Sequence, residues 1–220
     1  MNKERIIFCD FDGTITVSDN IVAIMKHFNP PGWEELVQQL VDKKLSLRET
    51  VGAMFALFPA SRKEEIVNYA IQNAVIRDGF GEFVNYCKDN GIKLLVTSGG
   101  IDFFIYPLLK SFPIPNENIF CNASSFEGSA IEILWPNKCD AHCKADCGMC
   151  KTSIIRSYEA SRYERILIGD SISDFEGAKL ADTIFARSHL IDLCKEKGYA
   201  YYPFETFFDI MKQLEAEQVR

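Results

Sequence analysis

Two carboxylates one residue apart, Asp10 and Asp12, stand directly behind the short apolar run Arg5-Ile6-Ile7-Phe8-Cys9 and in front of Gly13 and Thr14. Carboxylates at that spacing repel each other unless a cation or a shared proton compensates. Mg2+ suits the demand, because it is a hard ion that takes oxygen ligands and keeps waters for a phosphate to displace. The run before the pair has no polar alternation, which predicts a strand buried on both faces, as in a parallel sheet. In open α/β sheets, ligands bind beyond the carboxyl ends of such strands. Taken alone, the same residues also fit a polar loop with an Asx turn at Asp12-Gly13.

Three further stretches follow in order. Ile92-Lys93-Leu94-Leu95-Val96-Thr97-Ser98-Gly99-Gly100 is an apolar run ending in a hydroxyl and two glycines. Lys151-Thr152-Ser153-Ile154-Ile155 puts a lysine at the start of a helical pattern. Ile166-Leu167-Ile168-Gly169-Asp170-Ser171-Ile172-Ser173-Asp174 is another strand pattern ending in carboxylates. With Asp10-Phe11-Asp12-Gly13-Thr14 in front, the series resembles the four motifs of the haloacid dehalogenase superfamily of phosphatases, across nearly the whole chain.

That resemblance implies a fold and a set of roles. The fold is a Rossmann-like, doubly wound α/β core with an inserted helical cap. Asp10 is the expected nucleophile, forming an aspartyl-phosphate, and Asp12 the expected general acid and base. Asp10, Asp170 and the backbone carbonyl of Asp12 are expected to ligate Mg2+, with Asp174 holding either the metal shell or Lys151. Ser98 and the amide of Gly99 are expected on the phosphoryl oxygens, with Thr14 and Gly100 beside them and Lys151 neutralising the charge. The chemistry needs all of these, since a phosphomonoester dianion repels an anionic nucleophile.

The elements that must position these residues are legible in outline. Helices are expected from Asn20 to Phe28, from Trp33 to Lys43, from a cap at Ser46 to about Phe58, and from a cap at Ser61 to about Ala74. They place the cap at residues 17–76 and the core at 1–16 and 77–220. Further helices are expected at Phe80–Asn90, Ile101–Lys110, Lys151–Ala160, Phe175–Leu180, Leu190–Lys197 and Phe204–Gln218. Strands are expected at Asn118–Asn122, Ala130–Trp135, Arg165–Ile168 and Thr183–Ala186. The Ile101 helix is expected to offer its first amides to an anion just beyond Ser98. His27 lies late in its helix, where contact with the terminal carbonyls explains it without catalysis.

A net charge of -7 over 220 residues argues against nucleic acid or an anionic membrane as partner. No apolar run approaches the ~18 residues of a membrane span, and the chain begins close to its first strand. A cytoplasmic protein acting on a small phosphorylated metabolite is expected, with the oligomeric state open, a homodimer included. In that compartment cysteines are thiols or metal ligands more often than disulfides. Cys139, Cys143, Cys147 and Cys150 fall within one short stretch just before Lys151. Their gaps suit a structural zinc site, with His142 as a substitute ligand, but free thiols and disulfides remain alternatives.

The substrate depends on the insertion. Phosphoserine phosphatases, which resemble this chain in cap type, keep arginines in a helix where this sequence has Val51-Gly52-Ala53-Met54-Phe55. Asp19-Asn20, Met54-Phe55, the run Ser98 to Leu109 and the cysteine stretch together resemble the phosphatases of methionine salvage. Those remove phosphate from C1 of a five-carbon methylthio keto sugar. The resemblance puts Asp19 in the substrate site and Met54, Phe55 and Phe58 on the methylthio tail, a favourable partner for thioether and aromatic groups; plain packing explains the same three residues. Another metabolite phosphatase of the phosphoserine-phosphatase type, and a non-catalytic metal- or partner-binding protein, are the alternatives.

Overall fold

A computed structural model describes residues 3–218 of the chain. Among them seven strands form one sheet: β1 (Glu4–Cys9), β2 (Lys93–Ile101), β3 (Ile119–Ser125), β4 (Glu132–Leu134), β5 (Tyr163–Gly169), β6 (Thr183–Ala186) and β7 (Tyr202–Pro203). Their order is β4-β3-β2-β1-β5-β6-β7. Only β4 runs antiparallel to its neighbour. Ten helices, also among the described residues, accompany them: α1 (Asn20–Phe28), α2 (Trp33–Val41), α3 (Leu47–Ala56), α4 (Lys63–Asn73), α5 (Phe80–Asp89), α6 (Asp102–Leu109), α7 (Lys151–Arg156), α8 (Ile172–Ala178), α9 (Ser188–Lys197) and α10 (Phe207–Gln218).

The period of two along β1 divides the core. Ile7 and Cys9 enter one apolar cluster, with Phe80, Phe83, Phe207 and Leu214. Ile6 and Phe8 enter the other, with Ile155, Phe175, Ala178 and Leu190. Both faces are therefore covered, as a parallel sheet requires. All four of these β1 side chains are fully buried. Burial of Ile6, Ile7 and Phe8 contributes roughly 1.5–3 kcal/mol apiece, so the strand that carries the carboxylate pair is among the most firmly held.

α1 to α4 form one insertion between β1 and α5. Its two ends run side by side: Val17 donates its amide to Val75 O (2.9 Å), and Arg77 donates to Ile15 O (2.8 Å). Ile24, Met25, Met54, Phe55, Phe58 and Ile66 continue the first apolar cluster into the insertion. α3 opens with a capping box formed by Ser46 and Glu49, as its sequence implies.

Several boundaries differ from expectation. Ser61 does not cap α4; it sits inside a tight turn at Ala60–Arg62, and α4 begins at Lys63 without a side-chain cap. β2 continues through Gly99, Gly100 and Ile101, so α6 starts only at Asp102. The glycines are an irregularity in the pairing with β3, which shifts register between Thr97 and Ile101, because glycine tolerates a bulge inside a strand. α6 thereby begins one residue later than expected. α7 is shorter than expected, and the two-residue β7 carries too little pattern to be seen in sequence. No helix among the described residues is long and apolar enough to cross a membrane.

Candidate active site

The site lies where β2, β1 and β5 end. Asp10 follows β1 directly, and its amide donates to Ile168 O of β5 (2.9 Å). The chain then turns through Phe11–Ile15, closed by the Thr16 amide on Phe11 O (2.9 Å). Gly13 makes the turn possible. Its φ is +78°, and a Cβ there would stand 2.4 Å from Asp170 Oδ2, so any side chain would be both strained and in collision.

Lys151, the first residue of α7, reaches this turn from the side. Its ammonium donates to Asp10 Oδ1 (2.7 Å) and to Asp174 Oδ1. Lys151 and Asp10 are nearly inaccessible and Asp174 wholly so. Burial alone would lower the lysine's pKa, but Asp10 and Asp174 outweigh it and raise the value, so the ammonium stays charged. Burial, then Asp174, pushes the Asp10 carboxyl up, while Lys151 opposes that shift.

Both oxygens of Asp174 are engaged. Oδ1 takes Lys151, and Oδ2 accepts from the Ser171 amide (3.0 Å), the Asp170 amide (3.2 Å) and the Ser171 hydroxyl (2.8 Å). Expected among metal ligands or as the holder of Lys151, it makes the second contact and also caps α8. Oxygens of Asp10, Asp170 and Asp174 lie within 4.8 Å of one another. The Lys151 ammonium contacts two of the three carboxylates and Arg187 also acts on Asp170, and gathered carboxylate oxygens are the donor set that a hard dication takes.

Asp12 is held differently. Its Oδ1 accepts from the Asn20 amide (2.9 Å) and from Asn20 Nδ2 (2.6 Å), at the first turn of α1. Its Oδ2 accepts from the Ser98 hydroxyl (3.4 Å). Burial is the main force raising its pKa to about 7, followed by the nearby Asp19. A carboxyl in that range can give and take a proton near neutrality.

The remaining expected residues fall as follows. The Thr14 hydroxyl donates to Asp170 Oδ1 (3.0 Å), so it orients a carboxylate. Ser98 Oγ also accepts the Gly100 amide (2.9 Å). Gly99 O accepts from Asn122 Nδ2 (2.8 Å), and open space lies where a Gly99 side chain would be. Asp19 caps α1 by accepting the Val22 amide (2.9 Å). Met54 is buried on α3. His27 stacks on Tyr69, with ring centroids 3.9 Å apart.

Sequence reasoning assigned no role to three residues that hold the turn. Asn20 fixes Asp12. Buried Arg77 donates to Thr14 O (2.7 Å), Gly13 O (2.8 Å) and Thr16 O (3.2 Å). Arg187 adds a bond to Gly13 O (2.9 Å). Both arginines bind backbone, so no motif marks them; buried arginine in a sequence carries no signal until its acceptors are known.

The chain matches the haloacid dehalogenase-like hydrolase family over residues 7–179. It is 50% identical over 218 residues to the 2-hydroxy-3-keto-5-methylthiopentenyl-1-phosphate phosphatase of Brevibacillus brevis, spanning 99% of this chain and 98% of that one. The protein of the same name from Geobacillus kaustophilus is 47% identical over 219 residues, 100% and 99% of the two chains. Among solved structures, a substrate-bound phosphoserine phosphatase superposes with a TM-score of 0.70 at 17% identity, covering 97% of this chain and 99% of that one. A phospho-aspartyl intermediate analogue of phosphoserine phosphatase gives 0.69 at 18% identity, covering 96% and 99%. The structural likeness establishes the fold, and the match across most of the sequence, with full-length relatives near half identity, establishes descent: the chain belongs to the haloacid dehalogenase-like hydrolases.

Proposed function

We propose that the chain is a Mg2+-dependent phosphatase that hydrolyses 2-hydroxy-3-keto-5-methylthiopentenyl-1-phosphate to 1,2-dihydroxy-3-keto-5-methylthiopentene and phosphate. The observation that carries the chemistry is the pairing of Asp10 with Lys151 at 2.7 Å beside a separately held Asp12. The substrate rests on the names of the full-length relatives. Residues 17–76 serve as a cap over the site, and 1–16 with 77–220 as the core.

In this reading Asp10 attacks phosphorus, and the bond from phosphorus to the ester oxygen breaks. Asp12 passes its proton to the departing oxygen. Asp12, now a carboxylate, takes a proton from water, and that water attacks the phosphorus of the aspartyl-phosphate. Phosphate leaves and Asp10 is restored. Lys151 offsets phosphoryl charge, and its buried pairing with Asp174 keeps it aimed at Asp10. Ser98 and the Gly99 amide take phosphoryl oxygens. Asp10, Asp170 and the Asp12 carbonyl would hold Mg2+, which supplies further positive charge for the phosphoryl oxygens. Asp174, with both oxygens engaged, works as the anchor of Lys151. Thr14, Arg77 and Arg187 hold the turn in register for these roles.

The insertion favours an apolar substrate tail. α3 carries one arginine, Arg48, and its Nε pairs with Asp146 at 2.7 Å. Met54 and Phe55, by contrast, lie in the apolar cluster shared by insertion and core. A panel of metabolite phosphates, assayed by phosphate release with and without Mg2+, tests the proposal. The methylthio substrate should exceed phosphoserine by about a hundredfold in kcat/KM, the scale of a buried apolar tail set against a carboxylate when the one arginine of α3 is already engaged by Asp146. Equal rates on both would refute the substrate assignment; turnover without divalent metal would refute the mechanism.

A further inference from the structure

Eight cysteines divide into two kinds. Cys9, Cys87, Cys121 and Cys194 are buried in apolar clusters, where cysteine behaves as a small hydrophobe. Cys139, Cys143, Cys147 and Cys150 are gathered instead. Their four sulfurs all lie within 4.8 Å of one another, and three of the four side chains are only half-buried. Packing does not explain thiols that cluster at the edge of the core. None is joined in a disulfide, and the Cys143 and Cys147 sulfurs stand 3.8 Å apart, far beyond the ~2.05 Å of a bond. Tetrahedral zinc with sulfur ligands at about 2.3 Å requires edges near ~3.8 Å between sulfurs.

We propose that Cys139, Cys143, Cys147 and Cys150 bind one structural Zn2+ and that this knot ties the lysine helix to α3 of the insertion. His142, the substitute ligand considered from sequence, stands outside the cluster and donates its amide to Asp140 Oδ1 (3.0 Å). Four thiolates close the coordination shell, leaving no position for substrate, which makes the site structural.

The loop that carries the sulfurs has no regular secondary structure, yet it is fastened on three sides. At one end, fully buried Cys150 immediately precedes Lys151, and its amide donates to Asn137 O (2.9 Å). Next to Cys139, Asp140 takes both Arg156 Nε (2.8 Å) and Arg156 Nη2 (2.6 Å), from the last turn of α7. Between Cys143 and Cys147, Asp146 accepts the Ser46 hydroxyl (2.7 Å) and Arg48 Nε (2.7 Å), at the start of α3. Gly148 adopts φ +80° against Trp135, whose ring a Cβ would meet at 2.6 Å. A long loop of this kind orders itself poorly without a cross-link. Zinc would supply the cross-link and so fix both Lys151 and the helix that carries Met54. The cysteines are thus positioning residues, acting through Lys151 and α3.

The test uses the whole chain, purified without chelator and under reducing conditions. Elemental analysis should return about one zinc per chain. Cobalt added to protein from which zinc has been removed should give the visible bands and thiolate charge transfer of tetrahedral cobalt. Cys143→Ser and Cys147→Ser should each lower zinc content and Tm and reduce kcat by about tenfold, on the scale of lost metal-site support. If both variants fail to fold, the cobalt spectrum of the unmutated chain still decides. Zinc well below one per chain with four freely titrating thiols, or iron in place of zinc, or disulfides in freshly reduced protein, would each overturn the proposal.

Discussion

The chain gathers ligand atoms twice, and the two clusters are built from opposite materials. Asp10 and Asp170, at the ends of two adjacent strands, and Asp174, in the first turn of α8, bring oxygens together. Cys139, Cys143, Cys147 and Cys150 bring sulfurs together within a single loop. The first cluster borrows its rigidity from the sheet: the β1 side chains are wholly buried, and two arginines hold the turn that follows. The second has no strand beneath it and must make its own rigidity. Hard oxygen ligands that leave positions open suit an ion that meets substrate; soft sulfurs that close the shell suit one that does not. Lys151 joins the two, paired to Asp10 and Asp174 on one side and bonded to Cys150 on the other.

Substitutions in and around the two clusters put that contrast at risk. The largest effect belongs to Asp10→Asn. Turnover should fall by roughly four powers of ten or more, the scale of losing a nucleophile. Steady-state phosphate release checks it, and activity within tenfold of the unmutated chain would remove Asp10 from its role. Next comes the split between two acidic residues four apart. Asp174→Asn should lower kcat by about a hundredfold with little change in half-saturating Mg2+, because its oxygens serve Lys151 and α8. Asp170→Asn should instead raise the Mg2+ requirement by about tenfold or more. Mg2+ titrations of both variants decide, and identical behaviour would dissolve the distinction between ligand and anchor.

Met54→Arg is expected to cost about tenfold more in kcat/KM on the methylthio substrate than on a small aryl phosphate. Equal losses would separate Met54 from the tail. The smallest effect is the one that keeps the two clusters apart. Cys147→Ser should leave half-saturating Mg2+ within about twofold of its original value, since no thiol of the loop belongs to the carboxylate cluster. A larger shift would mean that the sulfur loop tunes the oxygen site directly.

How far the sequence goes depends on whether a residue's partner is near it in the chain. β1 and the capping box of α3 are local patterns, and both appear where the pattern places them. The order of the four motifs brings Asp10, Lys151, Asp170 and Asp174 together because each sits at a strand end or a helix start, where topology leaves little choice. Ser61 misleads because a serine three residues before a glutamate is also found in a turn. The glycine pair after Ser98 misleads for a related reason: glycine breaks a strand in some settings and merely kinks it in others. The roles of Asn20, Arg77 and Arg187 stay hidden because their acceptors are a carboxylate eight residues away and carbonyls more than sixty residues away. Asp174 is half legible: sequence places it beside the site, and only its hydrogen bonds show that both oxygens are taken.

Covalent catalysis by Asp10, with Asp12 as the proton carrier, stands or falls on trapping the intermediate. Asp12→Asn enzyme mixed with Mg2+ and an aryl phosphate has a leaving group that needs no acid, yet lacks the base for the second step. Aspartyl-phosphate should accumulate. Borohydride reduction followed by peptide mass spectrometry should then reveal homoserine at position 10 in a large fraction of the chains. Homoserine at another aspartate, or none while aryl alcohol is released in a burst, would rule this mechanism out.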